Sequence, residues 1–305
     1  MLLYFLPEGK SKSTIQKQSF HQAVDSGSLP IVSFWQSSRL RPKMKKIEME
    51  QASKVWESKS FDFYPSLQRL SFLFPGGWVD DEILTEFANI VLETFDLKSD
   101  YVFLDPLYIQ GLPSNSKSAP KTCKYVFFPY HWNRNHWFLF VLETSSGHVL
   151  IFDSVPKKDS DYRESVLCLY FLCDKILGIR KLPSKRIFSQ CIPPSAEASS
   201  WSFPSRQPRN RATYLETYKV VNAWVQNNSC DCGPHVLLFF FYLISNDLTS
   251  KMFQSYFNKK IPIFRKLEND FIDKIVRKEV FLTLYVARKR TEEALDVSIS
   301  DTSFH

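Results

Sequence analysis

The stretch "HWFLFVLETSSGHVLIFDS", His136 to Ser154, decides how this chain is read. Two short apolar runs flank "TSSG". Such runs, bounded by turn residues, read as two buried strands of a hairpin. Folding about Ser145 to Gly147 sets residues whose numbers sum to about 291 opposite one another. His136 opens the first strand and then faces roughly position 155, within two or three residues of Asp153. The hairpin alone brings an imidazole and a carboxylate to one end of a sheet. Whether both side chains share a face depends on register, because a slip of one residue turns a side chain to the other face.

Such a pair orients a base, so the rest of the chain is searched for a nucleophile. "NNSCDCGPHVLLFFF" runs from Asn227 to Phe241. The long apolar run reads as a buried helix opened by Cys232-Gly233-Pro234. Proline suits a first helical turn, where its missing N–H costs nothing. Cys232 then sits at a helix N-terminus, whose partial positive charge is expected to lower the thiol pKa. Cys230 lies outside the helix and gains less. Gln226, six residues before Cys232, carries an amide able to donate to an oxyanion beside the Cys232 backbone N–H. Taken alone, a loop glutamine is ordinarily a solvated one. The chain order His136, Asp153, Cys232 is one of several that unrelated triads use.

Other readings compete for the same residues. Cys230, Cys232 and His235, with His131 or His136 as a fourth ligand, offer donors for a metal. Structural zinc normally takes paired ligands from two separated knuckles, and only one such cluster exists here, so no metal and no cofactor are expected. The remaining cysteines, at 123, 168, 173 and 191, show no disulfide-framework spacing. The opening "MLLYFLPEGKSKST" has too short an apolar run for a secretory signal. A reducing compartment, nucleus or cytosol, is therefore expected. The most apolar stretch, Val236 to Ile244, is far shorter than a membrane span. Net charge is +7, spread along the chain without a recognisable nucleic-acid motif, so neither a nucleic-acid nor a membrane partner is expected. Only 8 glycines in 305 residues argue against a Gly-rich phosphate-binding fold.

The organisation follows composition. Residues 1–60 lack a clear period and carry the basic cluster "RLRPKMKK" (Arg39 to Lys46), which reads as a poorly ordered basic extension. Residues 61–287 hold the dense pattern of one domain. Val79 to Phe95 shows a helical stripe that Asp80 or Asp81 would cap. "KYVFFPYH" reads as a further strand, and Glu164 to Ile179 as a buried helix containing Cys168 and Cys173. A Pro/Ser/Arg-rich stretch at about 190–213 reads as a loop insertion. Residues 288–305 read as a polar C-terminal tail.

In family order, these motifs resemble the ubiquitin-like protein-specific cysteine proteases, the SUMO-deconjugating (sentrin-specific) type with an adenovirus-protease-like core. The resemblance rests on "NHWFLFVL", "IFDS" and "QNNSCDCG". It rests also on "PGGWVDDEIL" (Pro75 to Leu84) and "IPIFRKLEND" (Ile261 to Asp270), and spans roughly Phe61 to Ala287. The chain departs from the family pattern at Asp80, where Asn is usual, at Cys230, where an aromatic is common, and at Pro234-His235, usually apolar.

The resemblance implies an α+β, papain-like peptidase with a central mixed or antiparallel sheet flanked by helices. It implies His136 as base, Asp153 as its orienter, Cys232 as nucleophile and Gln226 as oxyanion donor. It further implies that Trp78 and Trp137 line a slot for a Gly-Gly tail, and that Asp81 contacts the tail region. The implied activity is cleavage after the terminal Gly-Gly of a ubiquitin-like modifier, SUMO first, by a monomer in nucleus or cytoplasm. Two alternatives stand beside it: a non-catalytic modifier-binding module on the same fold, and a pathogen-type deubiquitinase.

Overall fold

The structure, a computed structural model, describes residues 45–59, 65–106, 123–158, 161–163, 165, 166, 169, 218–221, 224–245, 248–258 and 271–302. All of them lie in the unit that begins at Lys45. Five strands form one mixed sheet in the order β1 (Tyr101–Phe103), β2 (Tyr125–Trp132), β3 (His136–Glu143), β4 (Val149–Phe152) and β5 (Tyr218–Val221). The two inner pairings are antiparallel and the two outer ones parallel.

Both hairpins come from local turn chemistry. Asn133 and Arg134 take left-handed φ of 48° and 58° in the three-residue connection between Trp132 and His136, which closes β2 onto β3. At the other end Gly147 turns with φ of 73°, and the Gly147 N–H donates to the Glu143 carbonyl. The register of β3 with β4 pairs Leu139 with Phe152 and Leu142 with Val149, the register read from the sequence.

Every residue of β3 and β4 is buried, since helical segments cover both faces. One face presents Phe128, Phe138, Phe140 and Ile151 to Tyr162, Val166 and Leu169. The other receives α4 (Cys232–Ser245), in which all residues but Tyr242 and Ser245 are buried. Phe240 meets Phe127 edge-on at 5.0 Å, and Phe239 lies 5.5 Å from Phe152. Each such side chain contributes about 1.5–3 kcal/mol on burial. A helix apolar on all sides is a core helix, and this one ends with its N-terminus beside the start of β3.

Among the described residues, α1 (Lys46–Ser58), α2 (Pro65–Gln68), α3 (Asp81–Thr94) and α5 (Ser250–Asn258) lie around this centre. Asp80 caps α3, its carboxylate accepting from the Ile83 N–H at 2.9 Å. The π-helical segment Ile272–Arg277 runs directly into the long α6 (Lys278–Thr302).

Two boundaries differ from the sequence reading. Residues 46–58, assigned there to the extension, are the helix α1. Only Ala52 and Trp56 are buried on it, too sparse a stripe to register as periodic. Trp56 packs on Phe74 and Phe281, and Arg290 pairs with Glu48 at 2.7 Å. Residues 288–302, assigned to a tail, continue α6. Their polarity reflects pairing across the surface: Arg288 bonds Glu82 at 3.0 Å and Glu86 at 2.6 Å. The insertion at 190–213, most of the 164–179 helix, the 261–270 motif and residues 1–44 lie outside the described residues.

Candidate active site

Asp153 follows the last residue of β4, and His136 opens β3. By the observed register, position 153 lies opposite Phe138, which shares a face with His136 two residues away. The two are diagonal neighbours on one face, within reach of long side chains. Their side chains meet: His136 Nε2 lies 2.7 Å from Asp153 Oδ1, both residues buried. Because a carboxylate only accepts, the shared proton belongs to Nε2, which leaves the lone pair on Nδ1.

Asp153 is itself held from three sides. Its Oδ1 accepts from the Val155 N–H at 2.7 Å, and its Oδ2 from the Tyr162 hydroxyl at 2.8 Å. The Tyr162 hydroxyl in turn accepts from the Lys157 N–H at 2.8 Å, and the Lys157 ammonium lies 3.9 Å from Asp153 Oδ2. Burial, then the Asp153 charge, pushes the Tyr162 hydroxyl far up, so it stays a donor. Tyr162 was not singled out from the sequence. It sits nine residues beyond Asp153 in a segment with no motif, and only the fold turns it back.

Cys232 is the first residue of α4 and 1 % exposed. The sequence led us to expect a lowered thiol pKa, and the structure corrects this. Burial pushes the Cys232 thiol up; backbone N–H groups of Trp137, Gly233 and Cys232 itself pull the other way without winning. A thiol so placed is mostly protonated until a base takes its proton. The pull from the Trp137 N–H is the informative one, because it comes from the residue next to His136. Cys230 is half-buried, and burial together with Asp231 raises its thiol too.

Asp231 immediately precedes Cys232, and its carbonyl accepts the first intrahelical bond from the His235 N–H. His235 is 1 % exposed and donates from Nδ1 to that same carbonyl at 2.8 Å. Burial depresses its pKa to about 4. It is a core residue here, and among the described residues no group of three or more His, Cys, Asp or Glu is arranged to hold a metal ion.

Gln226 is brought to the same cluster through Ser154. The Gln226 N–H donates to the Ser154 carbonyl at 3.0 Å, and Ser154 Oγ donates to Gln226 Oε1 at 2.7 Å. Gln226 Nε2 donates to the Asn228 carbonyl at 2.7 Å. An amide nitrogen has two hydrogens, so one remains for another acceptor.

The two tryptophans differ sharply. Trp137 is buried, its indole N–H donating to the Val79 carbonyl at 3.0 Å, and His131 stacks on it at 4.0 Å. Trp78 is 45 % exposed. Since Val79 follows Trp78, the Trp137–Val79 bond brings the two tryptophan-bearing segments together. Gly233 completes the junction: a Cβ there would lie 2.7 Å from Val79 Cβ. Asp81 opens α3, half-buried, on the side of His131.

A family model for the Ulp1 protease family, C-terminal catalytic domain, matches residues 108–177. That segment contains His136, Trp137 and Asp153, while Cys232 and Gln226 lie beyond it. No curated protein matches. Among solved structures, SUMO protease Ulp1 with its catalytic cysteine oxidised to a sulfonic acid superposes with a TM-score of 0.50 at 14 % identity, covering 82 % of this chain and 99 % of that one. The yeast Ulp1 protease domain in complex with Smt3 gives 0.48 at 13 %, over 80 % and 96 %. The Xanthomonas campestris effector XopD bound to ubiquitin gives 0.38 at 14 %, over 67 % and 89 %. The Ulp1 family model spans the His136–Asp153 hairpin, and the α+β fold is shared with the Ulp1 catalytic domain, so the chain is similar to the ubiquitin-like protein-specific cysteine proteases in that segment and in fold.

Proposed function

We propose that the protein is a thiol protease that cleaves after the C-terminal Gly-Gly of a ubiquitin-like modifier, with SUMO as the favoured modifier. The observation that carries this is the buried His136–Asp153 contact of 2.7 Å, on the strand against which the Cys232-led helix α4 packs. The Ulp1 family-model match supports the modifier class, and the fold shared with the SUMO protease Ulp1 supports SUMO as the first modifier to test.

In this reading Cys232 Sγ attacks the scissile carbonyl carbon while His136 Nδ1 takes the thiol proton. The raised thiol pKa makes that transfer part of the attack. The Cys232 N–H and the spare hydrogen of Gln226 Nε2 hold the developing oxyanion. The carbon–nitrogen bond then breaks, His136 returns the proton to the leaving amine, and a thioester remains. Water, deprotonated by His136, hydrolyses it to the free modifier. Asp153 keeps the imidazole in the tautomer that this needs. Trp137 and Trp78 confine the tail so that a residue bearing a Cβ is excluded, and Asp81 lies at the mouth of that slot.

The test is a panel of C-terminally activated modifiers: SUMO paralogues, ubiquitin and other ubiquitin-like proteins. A covalent adduct on Cys232 with SUMO supports the proposal. An adduct with ubiquitin alone replaces SUMO by the deubiquitinase reading. Tight binding of a modifier without any adduct replaces catalysis by a binding module.

A further inference from the structure

Arg277 is fully buried, a position where arginine is almost never found unless paired. It is the last residue of the π-helical segment Ile272–Arg277, a backbone irregularity that recurs at functional sites. Its guanidinium is shared between two pieces of chain far apart in the sequence. Toward one, Nη1 donates to the Phe72 and Phe74 carbonyls at 3.2 and 3.4 Å, and Nη2 donates to the Gly77 carbonyl at 2.8 Å. Toward the other, Nη2 donates to the Cys230 carbonyl at 3.2 Å, while Nη2 and Nε reach Asp231 Oδ1 at 2.7 and 3.2 Å. Asp273 adds a second carboxylate, its Oδ1 3.3 Å from Nε.

The two grips end at telling positions. Gly77 is the residue before Trp78, and Asp231 is the residue before Cys232. The turn over Arg277 is too tight for a side chain at Gly77, where a Cβ would meet the Phe72 carbonyl oxygen at 2.4 Å. Asp231 is clamped again by the Asn228 amide at 2.7 Å. A buried ion pair is weak as a source of net stability, since apolar replacements often do as well. Its planar fork of five N–H donors does what an apolar side chain cannot: it sets the separation and angle of several carbonyls at once.

We propose that Arg277 is a positioning residue that sets the nucleophile Cys232 against the Trp78 wall of the tail slot, joining the two halves of the site through one guanidinium. The proposal rests on the protease reading above. It adds a residue that no motif in the sequence marked. Lysine keeps the charge but offers three donors from a single point, so it reaches Asp231 without spanning Phe72 to Gly77.

The test uses the full chain carrying Arg277→Lys and, separately, Asp231→Asn. Each is checked for native circular dichroism and assayed well below its own Tm. Two readings are taken. The first is kcat and KM on a Gly-Gly modifier reporter. The second is the pH profile of Cys232 alkylation by iodoacetamide, followed by peptide mass. We expect kcat/KM to fall about tenfold to a thousandfold with most of the loss in kcat, because misaligned groups fail in the transition state. We also expect the alkylation profile to shift from the wild-type one in both variants. Folded variants with kcat/KM within about twofold of wild type, a loss confined to KM, or an unchanged alkylation profile overturn the proposal. So does failure of both variants to fold, which makes Arg277 a stability element. If wild type cleaves no Gly-Gly reporter, the substrate reading fails, while the alkylation profile, which needs no substrate, still decides the role of Arg277.

Discussion

Two cysteines one residue apart have opposite prospects because of where each sits. Cys232 starts α4 and is buried, whereas Cys230 lies half-buried in the loop before it. Cys232→Ser is therefore expected to abolish adduct formation with an activated modifier, and Cys230→Ser to retain most of it. The reverse outcome in a gel-shift assay sinks the assignment. The base is tested the same way. His136→Ala is expected to cost several orders of magnitude in turnover, since it removes the group that takes the thiol proton. Asp153→Asn keeps the imidazole but loses its charged partner, so its loss is expected to be smaller. Single-turnover rates check both, and near-normal turnover in His136→Ala removes this triad.

At the scale of elements, the site exists because the segment before α3 is pressed against the N-terminus of α4. Val79 is the contact: its carbonyl takes the Trp137 indole N–H, and its side chain fills the space that Gly233 leaves open. Gly233→Ala forces Val79 to move and is expected to destabilise the fold by about 1–3 kcal/mol. It is expected to lower kcat/KM as well, by pulling Val79 and Trp78 off Trp137. Val79→Gly removes the Cβ that a methyl at 233 would meet at 2.7 Å, and recovery, read as a smaller Tm loss for Gly233→Ala on that background than in wild type, is the check. No recovery means that the close approach is not what Gly233 is for. The tryptophans belong to this scale too, since they come from two segments. Trp78→Ala and Trp137→Ala are each expected to lower kcat/KM on a Gly-Gly tail by about tenfold to a thousandfold, or roughly 1.4–4 kcal/mol. Wild type is expected to reject a Gly-Ala tail, and the variants to reject it less relative to their own Gly-Gly rate. Equal cleavage of both tails by wild type removes the slot.

For the whole molecule, the buried histidine beneath the site sets an acid limit. His235 has its pKa depressed by burial to about 4, against an ordinary 6.5. Its Nε2 has no hydrogen-bond partner among the described residues, so a proton there would be a buried, unpaired charge. Asp231 raises that pKa while Arg277 and His136 lower it, and desolvation outweighs them all. The sign follows. Below about 6.5 the unfolded chain takes up a proton that the folded one refuses until about pH 4. Stability contributed by the neutral ring is complete above 6.5 and is lost as pH falls through that window, by about 3 kcal/mol in all. Urea unfolding across the window checks this. In His235→Leu this part of the slope is expected to vanish, with a separate, pH-independent cost for the lost bond to the Asp231 carbonyl. Equal slopes in the two proteins refute it.

Much of this molecule is legible in the chain alone, for local reasons. The β3–β4 register follows from a short turn at "TSSG" between two apolar runs, so the opposition of His136 and Asp153 can be read directly from residue order. The start of α4 is legible for the same reason, since an apolar run opened by Gly-Pro leaves little choice of boundary. What the chain alone leaves undecided depends on packing between distant segments. The shared face of His136 and Asp153 needs the register to hold. The raised Cys232 thiol needs burial, which overrides the local effect of a helix terminus. Trp56 makes α1 part of the domain through Phe74 and Phe281, partners that lie on two other segments. Tyr162 and Arg277 carry no local signature, because a hydroxyl or a guanidinium becomes informative only once the carboxylates and carbonyls around it have been gathered. Hydrophobic period and turn chemistry act over a few residues and can be read in order along the chain. Desolvation and long-range hydrogen bonds act between segments that only the tertiary fold brings together.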